Sequence, residues 1–471
     1  MVSFIVYDLI FLILFCIFAL FIFKKNRKNF KRQGWMFLYH TKVGIKLMKW
    51  GADKFGKILR PLSYVVILSG YILMVSIMWL ITKTVWTYVS TPIPEQLKNL
   101  PPIAPLIPYF PKLFNLESIF PPLYFTYFLV AIAVITISHE FAHGLFAKLW
   151  NIKVKTTGLA FFGPFFGAFV EPDEKKMAKA PKQHQLSILA AGTFANIVMF
   201  VLFALILWGF FAISFEPGGI IYGTYSQSVI NISDIVKVGN YTVISSSMIP
   251  SLTDGGLNKI ITKNGGIYYA PNNSLTKEII DTLDQTIVFD DAPAFNAKLD
   301  RLITSINGQP IRSKEELTTV LSTIAPGSVV EIKTLDSEKQ PKTYKVKLSE
   351  RNGSTYLGIM FYSTQTSGFR GFIIKIVSEI KDPYAYYTST WDGNLVQFIY
   401  DLLWWVVMIN ILVALMNMLP VSILDGGRFF YITLLGITRS QVWTKRIYTI
   451  IGWFILLLLA VMMAKWFVNL F

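Results

Sequence analysis

Residues 128–149 read FLVAIAVITISHEFAHGLFAKL. The run is apolar as far as Ile137, like a membrane span, and then carries His139, Glu140 and His143 with apolar residues on both sides. Ionisable side chains are costly inside a bilayer, so they normally face a partner or a cavity and mark function. Positions i and i+4 share one face of a helix, which allows the two histidines to reach a single metal ion. The stretch therefore predicts a membrane helix that carries part of a metal site.

The composition of the 471 residues indicates a polytopic membrane protein, since 53% are hydrophobic and only 15% are charged. The net charge of +16 does not indicate nucleic-acid binding, because the basic residues cluster beside apolar spans and no aromatic–basic module is present. The single cysteine, Cys16, excludes an intramolecular disulfide framework and a zinc site built from several cysteines. Any metal site must therefore use histidines and carboxylates.

Six stretches are long and apolar enough to cross a bilayer as helices, which takes about 20 residues. They are residues 4–23, 62–82, 123–150, 186–214, 396–419 and 447–470. The first stretch has no basic segment before it and no small-residue cleavage site, and its charges follow it. It is therefore predicted to be a retained signal-anchor.

The distribution of basic residues predicts the orientation of these spans. Residues 24–61 carry twelve Lys/Arg and residues 89–122 carry two, which places 24–61 in the cytoplasm. Counting crossings then places 151–185 and 420–446 in the cytoplasm, and both termini and 215–395 outside. The N-x-S/T sequons agree mildly with this, because all of them lie in the external segment, at Asn231, Asn240, Asn272 and Asn352.

Residues 215–395 differ in kind from the spans, being rich in Ser, Thr, Asn and Asp with short alternating runs that read as strands. LITSINGQPI, SKEELTTVL and APGSVVEIKTL predict a strand with an Asn-Gly turn, a helix opened by Ser313, and a Pro-Gly turn before paired strands. This order resembles a PDZ domain over 286–362, with a generic β-rich domain as the alternative. Residues 217–285 are an elaboration or insertion whose fold the sequence does not predict.

The predicted fold class is a polytopic α-helical membrane protein of about six transmembrane helices with an inserted extracytoplasmic PDZ-like α+β domain. The predicted segments are a signal-anchor with a basic cytoplasmic interfacial stretch (1–61), a membrane core with HExxH and a β-hairpin loop (62–214), the PDZ-like domain (215–390), and a membrane core with LDG (391–471). Within the first segment, the mixed lysines and large apolar residues of 34–60 predict either a helix lying in the interface or a basic loop.

A third metal ligand is needed, because catalytic zinc usually keeps three protein ligands and one open position. It must lie at the cytoplasmic end of the spans, like the two histidines, and residues 417–430 (NMLPVSILDGGRFF) end the fifth span there. Pro420 ends the helix, and Asp425 follows in an apolar setting before two glycines that allow irregular backbone. Asp425 is therefore the predicted ligand, and capping a helix that starts at the next residue is its alternative role. Glu140 cannot share the histidine face but is placed to act as a general base.

HEFAH, the later NMLPVSILDGG and the PDZ-like insertion between them resemble the site-2 protease family of intramembrane zinc metalloproteases, over most of the chain after Lys42. GLAFFGPFFGAFVEPDEK at 158–175 is similar to the membrane-associated β-hairpin that pairs with substrate in that family, and its GAFVEPDE part is similar to archaeal members. LAAGTFANIVMF at 189–200 is similar to the core span with a G-x-x-x-N motif. Thr193 stands where many members have proline, a departure that concerns local geometry and not the chemistry.

The resemblance implies that His139, His143 and Asp425 hold Zn²⁺ and that Glu140 activates water for attack on a peptide carbonyl. It further implies that hairpin residues contact the substrate, namely Gly163, Phe165, Phe166 and Gly167. Asn196 and Asn417 would lie near the site as polar groups that donate to a carbonyl oxyanion or orient a ligand. Interhelical hydrogen bonding is an equally open reading of both.

The implied function is hydrolysis of peptide bonds in or near transmembrane helices, as in regulated intramembrane proteolysis. The partners would be transmembrane protein substrates and the lipid bilayer of the cell membrane, without nucleic acid, and the PDZ-like domain would bind or exclude substrate ectodomains.

Three other functions fit less well. A protease that trims prenylated proteins needs a glutamate from a later span, whereas the last glutamate, Glu379, lies outside the bilayer. A transporter would show repeated halves, which the sequence does not. A non-catalytic scaffold would not need His139, Glu140, His143 and Asp425 together.

Overall fold

A computed structural model describes residues 4–25, 30–34, 36–90, 106–117, 120–162, 165–362, 378 and 381–470. The chain forms two compact units. Residues 1–211 with 394–471 form the first, called the membrane unit below, and residues 212–393 form the second, called the β unit.

The α-helices of the described residues are α1 Phe4–Lys25, α2 Ile45–Ser90, α3 Phe110–Leu113, α4 Phe125–Leu149, α5 Glu174–Lys179, α6 Lys182–Ser214, α7 Lys277–Thr282, α8 Pro293–Asn296, α9 Lys314–Ser322, α10 Gly393–Asn417, α11 Asp425–Thr438 and α12 Gln441–Leu470. Six described helices are long and apolar enough to cross a membrane, namely α1, α2, α4, α6, α10 and α12. The prediction of six spans is thus confirmed, and the chain has the helices of a multi-pass membrane protein.

The described strands are β1 Phe30–Gln33, β2 Met36–Thr41, β3 Val154–Phe162, β4 Phe165–Pro172, β5 Phe215–Ile221, β6 Thr224–Tyr225, β7 Gln227–Asn231, β8 Ile235–Val238, β9 Tyr241–Thr242, β10 Leu257–Thr262, β11 Ile267–Pro271, β12 Gln285–Asp290, β13 Leu302–Ile306, β14 Gln309–Pro310, β15 Val329–Leu335, β16 Pro341–Lys347, β17 Ser349–Arg351, β18 Ser354–Tyr356, β19 Ile359–Met360 and β20 Ala385–Ser389. Strands β1 to β4 lie in the membrane unit and the rest lie in the β unit.

Helix α2 begins well before the predicted span and runs for 46 residues from Ile45 to Ser90. The prediction of one interfacial helix over 34–60 is wrong for residues 36–41, which form strand β2. The sequence MFLYHT is rich in residues that fit a pleated surface, and β2 finds a partner in the distant strand β3. Residues 45–60 of the predicted segment belong to α2 and are continuous with the span.

The predicted hairpin at 158–175 is confirmed, since β3 and β4 pair antiparallel with Gly158 opposite Phe169. The N-terminal strands β1 and β2 extend this hairpin into a four-stranded sheet of order β1-β2-β3-β4. Strand β4 is therefore an edge strand, and it packs along α4, the helix that carries HEFAH.

Side chains of one span also bind the ends of other helices in the membrane unit. The Lys465 ammonium of α12 donates hydrogen bonds to the carbonyl oxygens of Tyr88 and Val89 at the end of α2. Lys182, at the start of α6, donates to Leu435 O near the end of α11 at 2.9 Å. A cation suits these positions, because the last carbonyls of a helix lack intrahelical partners and carry partial negative charge.

The β unit contains two main sheets, each with its own aliphatic core. One has the order β7-β12-β11-β10-β8-β9, and in the other β16-β15-β13-β5-β20 are neighbours, with β14 beside β13. The first sheet shows that residues 217–285, left unassigned by the sequence, contribute most of a separate β layer.

The local elements predicted for 302–347 are confirmed. Asn307 and Gly308, both with positive φ (48° and 79°), turn β13 into β14, and the Ser313 hydroxyl caps α9 by accepting from the Glu316 amide. Strands β15 and β16 then pair along their whole length. The PDZ assignment itself stays a prediction.

Candidate metal centre

Helix α4 brings His139 and His143 to one face near its C-terminal end. Both imidazoles are buried, with 7% and 9% of their surfaces exposed. The helical period alone produces this pairing, because residues four apart lie one turn above each other.

Asp425 joins the two histidines from a different part of the chain. Its Oδ2 lies 3.1 Å from His139 Nε2 and 3.1 Å from His143 Nε2, and the two Nε2 atoms are 3.0 Å apart. Within the described residues, these three side chains form the group suited to holding a metal ion. Tetrahedral zinc with bonds of about 2.0–2.1 Å separates its ligand atoms by about 3.3 Å. Two imidazoles and a carboxylate at nearly that spacing fit zinc.

The backbone around Asp425 differs from the prediction in two respects. Asp425 is the first residue of α11, so its side chain does not cap a helix starting after it. Gly426 and Gly427 are buried helical residues rather than irregular backbone. A Cβ on Gly426 would overlap the backbone of Met418, and one on Gly427 would overlap the carbonyl of Val421. The glycines thus allow α11 to pack against the end of α10, which brings Asp425 to the histidines.

The outer nitrogens of both imidazoles also have partners. His143 Nδ1 donates to the Ile188 carbonyl of α6 at 2.7 Å, so in the neutral imidazole Nε2 is the unprotonated nitrogen that faces the cluster. His139 Nδ1 lies 3.2 Å from the Asn196 amide, whose Oδ1 is buried and without a partner among the described residues. If the Asn196 side-chain amide is rotated by 180°, its Oδ1 accepts a hydrogen bond from a protonated His139 Nδ1. The Nε2 of a neutral His139 is then unprotonated, like that of His143. Asn196 therefore contacts the cluster through His139.

Gly192 belongs to the cluster as well, although the sequence did not single it out as a site residue. It lies one turn before Asn196 on α6, and a Cβ there would sit 2.6 Å from His139 Nε2 and closer still to His143 Nε2. The signal was the G-x-x-x-N spacing, which places both residues on one face of a helix. That face contacts the histidines only because α6 packs against α4, and the spacing does not reveal this packing.

Glu140 points from α4 toward strand β4 and accepts a hydrogen bond from the Val170 amide at 2.8 Å. The Val170 N–H therefore points away from β3, and by strand alternation the N–H groups of Ala168 and Phe166 face the same free edge. The outer edge of β4 thus faces the Glu140 carboxylate, which lies next to the His139–His143–Asp425 cluster.

Of the predicted hairpin residues, Phe165, Phe166 and Gly167 lie in β4, and one lies outside the described residues. Phe166 pairs with Phe161, and Phe165 with Phe162, in the β3–β4 ladder. Gly167 approaches α4, since a Cβ there would lie 3.8 Å from Thr136 Cγ2. Gly163 lies outside the described residues.

Asn417 is the last residue of α10 and is half-buried. The hydrogen bonds described for the cluster involve Asn196 and not Asn417.

Two comparisons with known proteins bear on this site. Residues 127–459 match peptidase family M50, a range that includes HEFAH and Asp425. The chain is also 29% identical over 300 residues to the uncharacterized protein MJ0971 of Methanocaldococcus jannaschii. That alignment covers 63% of this chain and 53% of the relative, so the chain spans about half the length of that protein.

Proposed function

The chain belongs to peptidase family M50, the site-2 protease family that its motifs resemble, and from that premise we propose that it is an intramembrane zinc endopeptidase. Membrane metalloprotease activity is what this family implies, and its members are zinc-dependent in general. The proposal for this chain is that it cuts peptide bonds in or near the transmembrane helices of other proteins, in regulated intramembrane proteolysis. The observation that carries it is the His139–His143–Asp425 cluster, whose histidines lie on the candidate membrane span α4 with Glu140 beside them.

His139, His143 and Asp425 would hold the zinc ion. When bound, zinc would act as a Lewis acid that polarises a peptide carbonyl and makes water a better nucleophile. Ile188 and Asn196 would keep the imidazole rings in the orientation that presents Nε2.

Glu140 would act as the general base. Its carboxylate would take a proton from the attacking water and return it to the amide nitrogen of the leaving chain. The hydrogen bond from Val170 holds this carboxylate at the free edge of β4, between that edge and the cluster. Glu140 is therefore suited to meet a peptide bond that lies along β4.

Strand β4 would hold the substrate in an extended form. A membrane helix hides its peptide bonds in internal hydrogen bonds, so it must unwind locally before cleavage. The edge amides of Phe166 and Ala168 could pair with an unwound segment, as in other cases where a peptide adds a strand to a sheet edge. Phe165, Gly167 and Gly163, the last of which lies outside the described residues, are proposed as further substrate contacts.

The β unit would lie outside the cell, with the metal centre near the cytoplasmic face and both chain termini outside. The basic segments 24–61 and 151–185 support this orientation by the positive-inside rule. An external PDZ-like domain could bind or exclude substrate ectodomains, so that only shortened membrane proteins reach the site.

The proposal is tested with purified protein in liposomes that also contain single-span reporter proteins, each tagged at both ends. Wild-type protein should hold one zinc ion per chain and release both tags, whereas Glu140→Gln should keep the zinc and cut about 10²- to 10⁴-fold more slowly. Asp425→Ala should lose both zinc and cleavage. A non-catalytic scaffold is the alternative, and the absence of Glu140-dependent cleavage by the zinc-loaded wild type would favour it. Comparing membrane proteomes of cells that express either form would then identify natural substrates.

A further inference from the structure

Asp8 is a carboxylate inside the first membrane helix, and the proposed reaction does not use it. It lies outside the residues that match the protease family and is only 1% exposed. Its Oδ2 accepts from the Phe125 amide and the Tyr109 hydroxyl, each at 2.7 Å. Its Oδ1 accepts from the amide and the hydroxyl of Thr126, at 3.0 and 2.6 Å. Both oxygens of Asp8 thus bind groups at or near the first turn of α4, the helix that carries HEFAH.

The start of α4 needs such a partner. The first amides of any helix have no intrahelical acceptor, and the residue before α4, Tyr124, makes no side-chain cap. Phe125 is 1% exposed, so water does not supply the missing acceptor. A carboxylate also suits this end of the helix, because the N-terminus carries partial positive charge. Asp8 therefore caps the N-terminus of α4 from a different helix.

Helix α1 reaches the proposed substrate strand as well. The Phe15 ring lies 5.5 Å from the ring of Phe125 on α4 and 6.2 Å from the ring of Phe166 on β4. Helix α1 thus contacts both the first turn of α4 and strand β4, against which α4 packs.

We propose that Asp8 is a positioning residue for proteolysis: it fixes the height and rotation of α4 relative to β4. The proposal rests on the proposed function. From Phe125 to His139 a helix rises about 21 Å, and a continuous helix transmits a shift of its first turn to its last. Without the Asp8 cap, α4 would pack against β4 in more than one register. Glu140 and the two histidines would then take more than one position relative to that strand.

A cysteine pair measures this register without any activity. In a Cys16→Ser background, Thr136→Cys on α4 and Gly167→Cys on β4 should form a disulfide readily, because a Cβ at 167 lies 3.8 Å from Thr136 Cγ2. Adding Asp8→Asn should lower the oxidation rate severalfold, while Asp8→Glu should stay closer to the parent. An unchanged rate with Asp8→Asn would overturn the proposal, whether or not the protein proves to be a protease.

Cleavage of the reporter proteins by the full chain supplies the second readout. Asp8→Asn should keep one zinc per chain, spread cleavage over neighbouring peptide bonds, and lower kcat/KM at the main bond roughly 10- to 100-fold. The matched control is Asp401→Asn, which alters a buried carboxylate of α10 that accepts from Gln397 of its own helix at 2.7 Å. The control should cut at the wild-type bond.

The outcomes separate the two proposals. A single, unmoved cleavage bond in Asp8→Asn would show that Asp8 only stabilises the fold and would overturn its positioning role. Absence of any Glu140-dependent cleavage by the wild type would instead refute the proposed function and leave the cysteine pair to decide on Asp8. If Asp8→Asn does not fold, Thr126→Val and Tyr109→Phe remove one donor each and should give the same changes in smaller degree.

Discussion

The two units of the molecule differ in how completely their buried polar groups are paired. In the β unit, the buried Asp290 carboxylate accepts from Ser226, Ser228, Arg351 and Tyr356, and all of these groups stabilise one another. Among the described residues, four buried polar side-chain atoms have no hydrogen-bond partner, and all four lie in the membrane unit. They belong to Tyr88, Asn196, Asn410 and Trp466.

The difference follows from the surroundings of each unit. Large apolar side chains such as Leu20 and Trp79 are exposed on the spans, where lipid would cover them, so apolar contact alone does not set one helix arrangement. The few polar contacts between helices must then do so, and any polar group kept there at a cost points to function. We therefore expect that changing a buried polar group lowers mainly the stability of the β unit. In the membrane unit, we expect the same kind of change to affect mainly the chemistry or the positioning of the active site. Three experiments test this contrast.

The largest effect is expected from adding one methyl group beside the metal cluster. Gly192→Ala would force a Cβ against both His139 Nε2 and His143 Nε2, so zinc affinity should fall roughly 10- to 100-fold and cleavage with it. Gly209→Ala on the same helix is the matched control, because a Cβ there has no described atom within 4 Å. Zinc content by mass spectrometry and the reporter assay measure both variants. Equal zinc content in the two would mean that the cluster does not hold the metal.

A smaller effect, on stability and not on chemistry, is expected at Asp290 in the β unit. Burial raises the pKa of this carboxyl, but hydrogen bonds from Ser226 and Ser228 and the charge of Arg351 outweigh burial and hold the pKa below its usual value. The stabilisation is therefore complete above the unfolded pKa of about 3.9 and is lost as the pH falls through the lower folded value.

Asp290→Asn should thus lower the free energy of unfolding of the β unit by about 1–3 kcal/mol at pH 7 and flatten its decline below pH 4. Arg351→Met should cost less, because that side chain is about half exposed. Urea unfolding of residues 212–393, followed by circular dichroism at several pH values, measures this. Zinc content of the full-length variants should stay at the wild-type level, and a loss of zinc would contradict the separation of roles.

The smallest effect on the metal centre is expected from removing the β unit altogether. Phe215 pairs with Ser389, and the Thr390 amide donates to Ser214 O at 3.0 Å, so the chain enters and leaves this unit at adjacent points. A short Gly/Ser linker in place of residues 215–390 should leave zinc content unchanged. Cleavage of a reporter without an ectodomain should stay within about threefold of wild type, and reporters with long ectodomains should be cut faster. If both activities disappeared while zinc remained bound, the β unit would have to shape the active site itself.

Much of the candidate site could be predicted because its chemistry depends on local spacing. The pairing of His139 with His143 follows from the period of one helix. Asp425 could be grouped with the histidines by elimination, since a zinc site built on them would need a carboxylate at the same end of the spans. In the β unit, the turn at Asn307 and the cap at Ser313 were equally predictable, because each depends on residues within a few positions of it.

The features that the sequence did not predict depend instead on contacts between distant segments of the chain. Gly192 matters because α6 packs against α4, and Asp8 matters because α1 lies beside the start of α4, 117 residues away along the chain. Strand β2 forms because β3 offers it an edge more than 100 residues later. A side chain's chemistry and its local spacing can be read along the chain. The partner that gives such a residue its role is decided only when distant segments pack together, because many packings satisfy the same hydrophobic pattern.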